Sequence, residues 1–295
     1  MHDYLSAVGF KCIKNNKEYQ KLIQTVMDRP TMEFISDNGR ELPQGEKSKE
    51  FSENMGITVR GEYDEDGIFQ FAYAFPYFKG NHVTTKEDIY IEKHVDKESY
   101  AGVCDDVKVG VSLIFHMLNM VDYIDHFEFN KENHLVAPVT LTGLSNEGKV
   151  VLPILKTKAL DKKSKTDSSN RNQMIAAARQ GDQDAIESLT LEDIDIYASV
   201  SKRAVKEDIL SIVDSYFMPY GISCDQYSIL GTIMEVKQVV NEVTKEEIYV
   251  LRLDCNDLIF DICINKEELL GEPLPGRRFR GSIWMQGSID FSPGA

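Results

Sequence analysis

The chain has 295 residues, which is enough for two ordinary domains at roughly 100–200 residues per domain. Hydrophobic residues make up 42% and charged residues 27% of the composition, which excludes a wholly disordered or fibrous protein. A formal net charge of −15 repels polyanions at long range and disfavours nonspecific nucleic-acid binding.

The cysteines and the opening residues predict a cytoplasmic protein. The five cysteines are dispersed singly and no CxxC pair occurs, which fits reduced thiols better than a disulfide framework. The opening, Met1 to Leu5, lacks the basic region and the long apolar run of an export signal. No window approaches the roughly 18 consecutive apolar residues of a membrane span, so we expect no membrane contact.

Residues 1–155 predict an α+β domain with a mainly antiparallel sheet. Apolar residues at helical spacing predict a helix over Asn16 to Asp28, and a second helix is expected between Leu118 and Phe127. A hairpin is predicted in which Val150 to Leu155 returns across a turn at Ser145 to Gly148. The other predicted strands are Met32 to Ile35, Ile57 to Tyr63, Phe69 to Tyr77, Ile89 to His94, Val107 to Phe115 and Leu135 to Leu144.

One predicted strand carries aromatic residues at every second position, and in a regular strand these would project from one face. They are Phe69, Phe71, Tyr73, Phe75 and Tyr77. Such a ladder is either a stacking platform for bases or sugars, or the core face of a sheet covered by a helix. We favour the core face because each ring buries on the order of 150–250 Å².

Residues 156–171 interrupt this pattern with five lysines among Ser, Thr and Asp, and they predict a charged linker or loop. The functional alternative for this segment is a small basic patch for an anion or an acidic partner. Residues 172–205 then predict a helical segment: Met174 to Arg179, Asp184 to Leu189, and a third helix that Thr190 caps.

Three acidic residues of the last helix, Glu192, Asp193 and Asp195, give it a negative face. They lack a nearby histidine and the glycine-centred spacing of a calcium loop, so we interpret them as a solvated surface. The six histidines of the chain likewise show no metal-ligand spacing. The sequence therefore predicts no metal site and no cofactor.

Three strings of the chain resemble a family of uncharacterised bacterial proteins, a domain of unknown function from anaerobic Gram-positive bacteria. The strings are Met1 to Phe10, Ala177 to Asp182 with Ala185 to Thr190, and Tyr216 to Gly221. The resemblance spans nearly the whole chain. It implies a bacterial cytoplasmic protein, and it supplies no reaction, ligand or site residue.

Residues 206–295 predict a β-rich, barrel-like C-terminal domain. The predicted strands are Tyr227 to Val240, Ile248 to Leu253, Leu258 to Ile264 and Phe279 to Ile289, with a helical turn at Lys266 to Leu270. This order is typical of an OB-like barrel, although that fold has five strands. Ile209 to Met218 is the candidate for the missing strand, and another small barrel or an open sheet on the central helices remain alternatives.

The candidate ligand-binding residues of this domain are Arg277, Arg278, Arg280 and Trp284. Arginine binds phosphate through paired N–H groups and aromatic rings stack on bases, so a single-strand-binding face would use these residue types. The segment from residue 206 onward nevertheless holds 15 acidic and 8 basic side chains, a net of −7. Nucleic acid is thus an improbable partner.

The structural interpretation of the same residues is the favoured one. In it the arginines pair with acids such as Glu267, Glu268 and Glu272, while Trp284 fills the barrel. This interpretation predicts that the domain is a self-contained structural barrel without a ligand face of its own.

Catalytic motifs are weak, since the chain has no GxSxG, P-loop, HExxH or strand-following GxGxxG sequence. The best nucleophile candidate is Cys104, with His94 or His116 as its base. The carboxylates of Asp105 and Asp106 would raise the pKa of this thiol, opposite to what activation requires. No catalytic residue is therefore assigned.

Two functions follow. The favoured one is a non-enzymatic cytoplasmic binding or adaptor protein whose partner docks in a groove between the two domains. The alternative is a small-ligand-binding protein or enzyme whose site lies at the domain boundary and combines residues distant in sequence. A pocket with convergent His, Asp or Arg side chains favours the alternative, whereas a closed, dry interface argues against it.

Overall fold

A computed structural model describes residues 2–36, 42–93, 99–105, 112–126, 134–154, 170–171, 173–178 and 180–291. The predicted linker over residues 156–171 lies outside the described residues except for 170 and 171, and so does most of the predicted strand Val107 to Phe115. The candidate base His94 lies outside them as well. The fold is α+β, as predicted.

The first layer is a four-stranded antiparallel sheet, which we call sheet A. In spatial order its strands are β1 (Met32–Ser36), β2 (Gln44–Ser52), β3 (Met55–Tyr63) and β4 (Phe69–Phe78). Helix α1 (Asn16–Asp28) packs across β2 and β3 through a buried stripe. The stripe consists of Tyr19, Leu22, Ile23 and Val26, as the helical spacing predicts. The predicted helix is confirmed, and β3 pairs antiparallel with β4.

The aromatic residues of β4 do not share one face, so that prediction is wrong. Tyr73 lies opposite Arg60, but Phe71 lies opposite the next residue, Gly61, which leaves Ala72 as an extra residue. Such a bulge reverses the alternation of side chains along a strand. The rings divide accordingly into Phe69 and Phe71 on one face, and Tyr73, Phe75 and Tyr77 on the other.

The second layer contains the predicted small barrel, closed by five strands. They are β9 (Val139–Val151), β11 (Gln226–Val240), β12 (Glu247–Cys255), β13 (Leu258–Asn265) and β15 (Arg278–Ile289). Around the ring the order is β9, β13, β12, β11, β15 and again β9, and only the β9–β13 pair is parallel. A barrel closed in this way leaves no unpaired edge around its circumference.

The fifth barrel strand comes from the first half of the chain, so the assignment of Ile209 to Met218 to that place is wrong. Ser145 to Gly148 do not form a turn but continue β9. They pair with β15 on one side and with β13 and the short strand β14 (Leu269–Leu270) on the other. The barrel is therefore built from both of the predicted domains.

The connectivity matches a circularly permuted OB barrel. Strands β11, β12 and β13 form the three-stranded meander, and β13 pairs in parallel with β9. Strand β15 closes the ring antiparallel to both β9 and β11. In an OB barrel the parallel partner of the third meander strand is the last strand, whereas here it is the first.

The remaining strands extend the barrel sheet on one side. Strand β7 (Leu113–Met117) pairs in parallel with β15, and beyond it lie β6 (Tyr100–Cys104), β5 (Asp88–Lys93) and β8 (His134–Val136). Helix α2 (Met120–His126) follows β7, within the helix predicted between Leu118 and Phe127.

The central helices differ from the prediction. Residues 173–178 are helical, and helix α3 (Gln183–Ala204) then runs without interruption. Thr190 is not a cap, since its hydroxyl donates to the carbonyl of Ile186 within α3. A four-residue helix α4 (Ile209–Ile212) and strand β10 (Tyr216–Pro219) lead into the barrel. No helix in the described ranges is both long enough and apolar enough to cross a membrane.

The barrel has a buried inner face and, over part of its circumference, a buried outer face. Ile229, Leu251, Ile262 and Ile283 belong to the inner core. On the outside, a second core joins sheet A and α1 to the barrel strands through Leu144, Ile248, Cys263 and Trp284. Sheet A therefore packs against the outside of the barrel.

Candidate functional site

The boundary between sheet A and the barrel is joined by buried polar side chains at the end of β4. The amide of Gln286 accepts from the backbone N–H of Phe78 at 3.1 Å and donates to the carbonyl of Pro76 at 2.8 Å. The hydroxyl of Thr142 donates to the carbonyl of Phe78 at 2.7 Å. Because these backbone groups have no solvent access, each of these bonds removes a desolvation cost.

A buried arginine crosses the same boundary from strand β3. The Arg60 guanidinium donates to the Glu46 carboxylate at 2.8 Å, to the Tyr73 hydroxyl at 3.1 Å and to the Leu118 carbonyl at 2.9 Å. It also lies over the ring of Phe75, 4.7 Å from the centroid. Burial lowers the pKa of Arg60, but Tyr73 and Glu46 more than offset this and the pKa is raised overall. Arg60 is therefore a charged structural link with satisfied donors.

Trp284 lies on the outer face of β15, so the prediction that it fills the barrel is wrong. Its ring centroid is 4.7 Å from that of His2, 5.7 Å from that of Tyr4 and 5.1 Å from that of His116. The indole Nε1 donates to the Asp225 carboxylate at 2.7 Å. Trp284 is only 6% exposed, because the N-terminal 3-10 helix Asp3–Val8 and sheet A cover it.

Arg278 is buried and its guanidinium donates to backbone carbonyls rather than to acids. The acceptors are Leu152 and Leu210, with Nη2 distances of 2.8 and 2.7 Å, and Val213, with an Nη1 distance of 2.8 Å. Burial lowers the pKa of Arg278 below its usual value. The guanidinium thus ties β15 to the end of β9 and to the segment that leads into β10.

The two neighbouring arginines have partners of their own. Arg277 donates to the carbonyl of Glu272 at 2.7 Å, and the carboxylate of the same residue lies 3.7 Å away. Arg280 donates to the hydroxyl of Tyr216 at 3.2 Å.

The predicted pairing of these arginines with Glu267 and Glu268 is wrong, because both acids bind Lys11. Arg277, Arg278, Arg280 and Trp284 are not brought together in one cluster, and their role in ligand binding stays a prediction.

A pocket of about 120 Å³ opens at another point of the boundary, where the β2–β3 turn meets the barrel. Its polar lining comes from Glu53, Asn54 and Asn81 on the sheet A side and from Glu235, Lys237, Arg252 and Asp261 on the barrel side. The sequence patterns predicted none of these seven residues as part of a site. They are separated by up to about two hundred positions, which is typical of a site assembled between structural units.

The barrel wall of the pocket contains a row of three paired charges. Glu235, Arg252 and Asp261 lie opposite one another on β11, β12 and β13. Arg252 donates to Asp261 at 3.0 Å and to Glu235 at 2.9 Å. The hydrogen bond that Arg252 donates to Asp261 is the largest cause that raises the pKa of Arg252. Because Asp261 is 8% exposed, the Arg252–Asp261 pair is a fixed part of the pocket wall, whereas Glu235 is exposed.

A second ion pair spans the boundary at the pocket and is much more open. Lys237 Nζ lies 2.5 Å from a carboxylate oxygen of Glu53, and both side chains are 55% exposed. The neighbouring Asn54 has a left-handed backbone with φ of 59°, and its side-chain amide donates to that of Asn81 at 3.3 Å. The tight turn between β2 and β3 therefore places Glu53 and Asn54 against the barrel.

The pocket lies at the edge of the face that OB barrels use for ligands, because most of its barrel lining comes from β11. That face is formed by the second and third meander strands and by the loop between the first and second. Here the corresponding strands are β12 and β13, which carry Arg252 and Asp261. The corresponding loop is covered, since Asn241 donates to the Val8 carbonyl at 3.0 Å and Thr244 donates to the Gly9 carbonyl at 2.7 Å. The chain's own N-terminal part therefore occupies most of this face.

Burial disfavours the reactive thiolate at three of the described cysteines. Burial raises the pKa of Cys255 to about 12, and it also raises the pKa values of Cys12 and Cys263. Cys104 is buried and lies opposite Leu113, three residues along β7 from His116. Three residues of strand span roughly 10 Å, too far for a hydrogen bond between the two side chains.

Comparison with known proteins identifies the family but no function. Residues 5–287 match the family described as a domain of unknown function named for an E. rectale gene, DUF3881, and the chain belongs to that family. The predicted resemblance to a bacterial domain of unknown function is thereby confirmed. No curated protein and no solved structure matches the chain.

Proposed function

We propose that this member of a bacterial family of unknown function is a non-enzymatic cytoplasmic binding protein whose boundary pocket holds a small zwitterion. The observation that supports the proposal is the exposed ion pair between Lys237 and Glu53, which spans the pocket beside the fixed Arg252–Asp261 pair. A cytoplasmic location agrees with the cysteines, since all five are free thiols.

The Lys237–Glu53 pair can be opened at little cost. Ion pairs this exposed contribute about 0–1 kcal/mol to stability. Once opened, the pair offers an ammonium group for the anionic end of a ligand and a carboxylate for its cationic end. A zwitterion satisfies both groups at once, whereas a simple anion or a simple cation leaves one of them without its former partner. The pocket therefore selects a molecule that carries both charges.

The size and the chemistry of the pocket limit its ligand. At about 120 Å³ the pocket is smaller than the roughly 300–1,000 Å³ of sites for drug-sized molecules, so the ligand has few heavy atoms. General acid–base catalysis requires a group with a pKa near the working pH. Arg252, the cation held in the pocket wall, has a pKa raised even further above neutrality, so it is not such a group. The function proposed for the pocket is binding without turnover.

Calorimetric titration of the full chain with short ω-amino acids tests the proposal. Glycine, 3-aminopropanoate and 4-aminobutanoate serve as zwitterionic probes, and propanoate and propylamine serve as probes that carry one charge each. We expect saturable binding of at least one zwitterion with a Kd near 1 mM, about −4 kcal/mol. The two singly charged probes should bind at least about tenfold more weakly.

Variants of the ion pair provide the matched controls. Lys237→Met and Glu53→Gln should each weaken zwitterion binding by at least about tenfold. Lys266→Met removes an ion pair with Glu247 in which both side chains are 43% exposed, away from the pocket, and it should leave binding unchanged. The proposal would be overturned if none of the three zwitterions showed saturable binding, or if all three variants weakened zwitterion binding equally. Chemical conversion of a bound probe would favour the enzyme alternative.

A further inference from the structure

In the described part of the chain, no strand of either sheet makes an extensive contact with helix α3. Its 22 residues span about 33 Å, and its packing contacts within the described part of the chain include the short helix α4. The face that carries Ala185, Leu189 and Val200 is buried or half-buried. On the same side, Arg171 donates to Glu192 at 2.9 Å and to Asp193 at 2.5 Å. This side of the helix is the one attached to the rest of the protein.

The opposite side of α3 exposes large apolar residues. Ile186 is 38% exposed, Leu191 65%, Ile194 58% and Tyr197 77%. At about 100° per residue these four positions fall within one arc of roughly 140°. We call them the α3 face. Clustered apolar residues at the surface of a folded protein usually mark an interaction site.

The charges along α3 are segregated. The first half carries Asp184 and Glu187 among its acids, and Asp195 lies just past the midpoint, whereas the last turn carries Lys202, with Lys206 just beyond the helix. The helix dipole adds positive charge at the first turn and negative charge at the last. A helix of this kind complements another copy of itself in the antiparallel direction, because acidic and basic ends then meet twice.

We propose that the α3 face is a self-association surface, on which a second copy of this chain packs its own α3 antiparallel, centred on Ile194. In that arrangement each Ile194 meets its equivalent and Leu191 of one copy meets Tyr197 of the other. Lys202 of one copy then lies beside Asp184 and Glu187 of the other. An isologous contact of this type closes as a twofold-symmetric dimer. The proposal does not depend on the boundary pocket.

The net charge of −15 per chain opposes this association at long range. The Debye length is about 8 Å at physiological salt, so the charges at the contact decide the outcome. One helix per copy gives an interface at the low end of the roughly 1,200–2,000 Å² of stable complexes. We therefore expect a dimer with a Kd on the order of micromolar.

Sedimentation velocity of the full chain over a range of concentrations measures the dimer. Ile194→Asp should weaken dimerisation by at least about a hundredfold, because it places two carboxylates at the centre of the contact. Ile222→Asp is the matched control: Ile222 is fully exposed and lies outside α3, so the dimer should be unchanged. Circular dichroism checks that both variants are folded.

Charge reversal tests the antiparallel direction. A variant with Asp184→Lys and Glu187→Lys places like charges at both ends of its own dimer, and so does a variant with Lys202→Glu and Lys206→Glu. Each alone should be largely monomeric, whereas an equimolar mixture should form a heterodimer. Wild-type chain that is monomeric at roughly 100 µM, a hundredfold above the expected Kd, would overturn the proposal even if the face binds a different protein. Failure of the mixture to dimerise would overturn the antiparallel arrangement.

Discussion

At the boundary between sheet A and the barrel, buried polar side chains have hydrogen-bond partners, whereas the α3 face leaves apolar side chains in solvent. At the boundary, Arg60, Gln286 and Trp284 are buried and each donates to a defined acceptor. On α3, residues as apolar as Leu191 and Ile194 remain in solvent. The barrel face that OB folds leave open is thus largely filled by the chain itself, and the apolar surface suited to a partner lies on a helix.

The largest effect is expected where the boundary buries a charge. Glu46→Gln removes the carboxylate partner of Arg60 and leaves a buried guanidinium without its counter-charge, so the free energy of unfolding should fall by about 3–5 kcal/mol. Urea denaturation measures the loss. The double variant Glu46→Gln, Arg60→Met should recover part of it because no unpaired charge remains. An effect below about 1 kcal/mol for the single variant would show that the boundary is less dry than described.

Alkaline pH should destabilise the fold through a buried phenol. Burial raises the pKa of Tyr227 to about 12 from an ordinary value of 10.0. Its hydroxyl accepts from the N–H of Ile114 and donates to the carbonyl of the same residue. Because the folded-state pKa is raised, the protonated phenol's contribution to the free energy of unfolding is complete below pH 10. This contribution is lost as the pH rises toward 12, which lowers the free energy of unfolding by about 2–3 kcal/mol. Tyr227→Phe should flatten the measured stability in that window, and an unchanged slope would contradict the assignment.

A smaller effect is expected from the polar link at the end of β4. Gln286→Leu leaves the N–H of Phe78 and the carbonyl of Pro76 buried without their partner, so stability should fall by about 1–3 kcal/mol. Thermal unfolding followed by circular dichroism measures the change. Gln238→Leu is a control of the same chemistry at an exposed position of β11 and should be nearly neutral. Equal destabilisation by both variants would argue against a closed boundary.

The smallest effect is expected on the α3 face. Leu191→Ala should change the unfolding free energy of the dilute chain by no more than about 0.5 kcal/mol, because the side chain is 65% exposed. The same variant should weaken the dimer. Destabilisation of the dilute chain by several kcal/mol would instead show that the α3 face is covered within one copy.

Local patterns predicted the elements whose partners are near in sequence. The apolar stripe of α1 and the hairpins of β11, β12 and β13 follow from helical or alternating spacing and short turns. The turn between β12 and β13 carries Asn256 and Asp257, both with positive φ, as a short hairpin requires.

Elements that depend on distant partners were missed or misread. Strand β9 crosses an apparent turn at Ser145 to Gly148 because β15 and β13 pair with it from more than a hundred residues away. Strand β2 was not predicted because its buried positions include polar residues such as Glu46 and Ser48, which pair with Arg60 and Thr58 across the sheet. These contacts exist only once the sheet has formed.

One feature of the sequence could have indicated the candidate site. Asp261 stands inside an otherwise apolar strand, and a charge at such a position needs a buried partner. Its partner Arg252 stands on the neighbouring strand, nine residues earlier. The sheet A side of the pocket could not be inferred, because Glu53 and Asn54 belong to a turn whose place against the barrel is a tertiary contact.

Hydrogen exchange of the wild-type chain, followed by mass spectrometry, tests the difference between the two regions most directly. The chain is compared when dilute, when dilute with a saturating concentration of the zwitterion that binds most tightly, and when concentrated. We expect the ligand to slow exchange around the Glu53–Asn54 turn and to leave α3 unchanged. Concentration should slow exchange in α3 and leave the turn unchanged. Two results would contradict the separation of a ligand pocket from a self-association helix. One is that a single treatment slows exchange in both regions, and the other is that neither treatment slows exchange in either region.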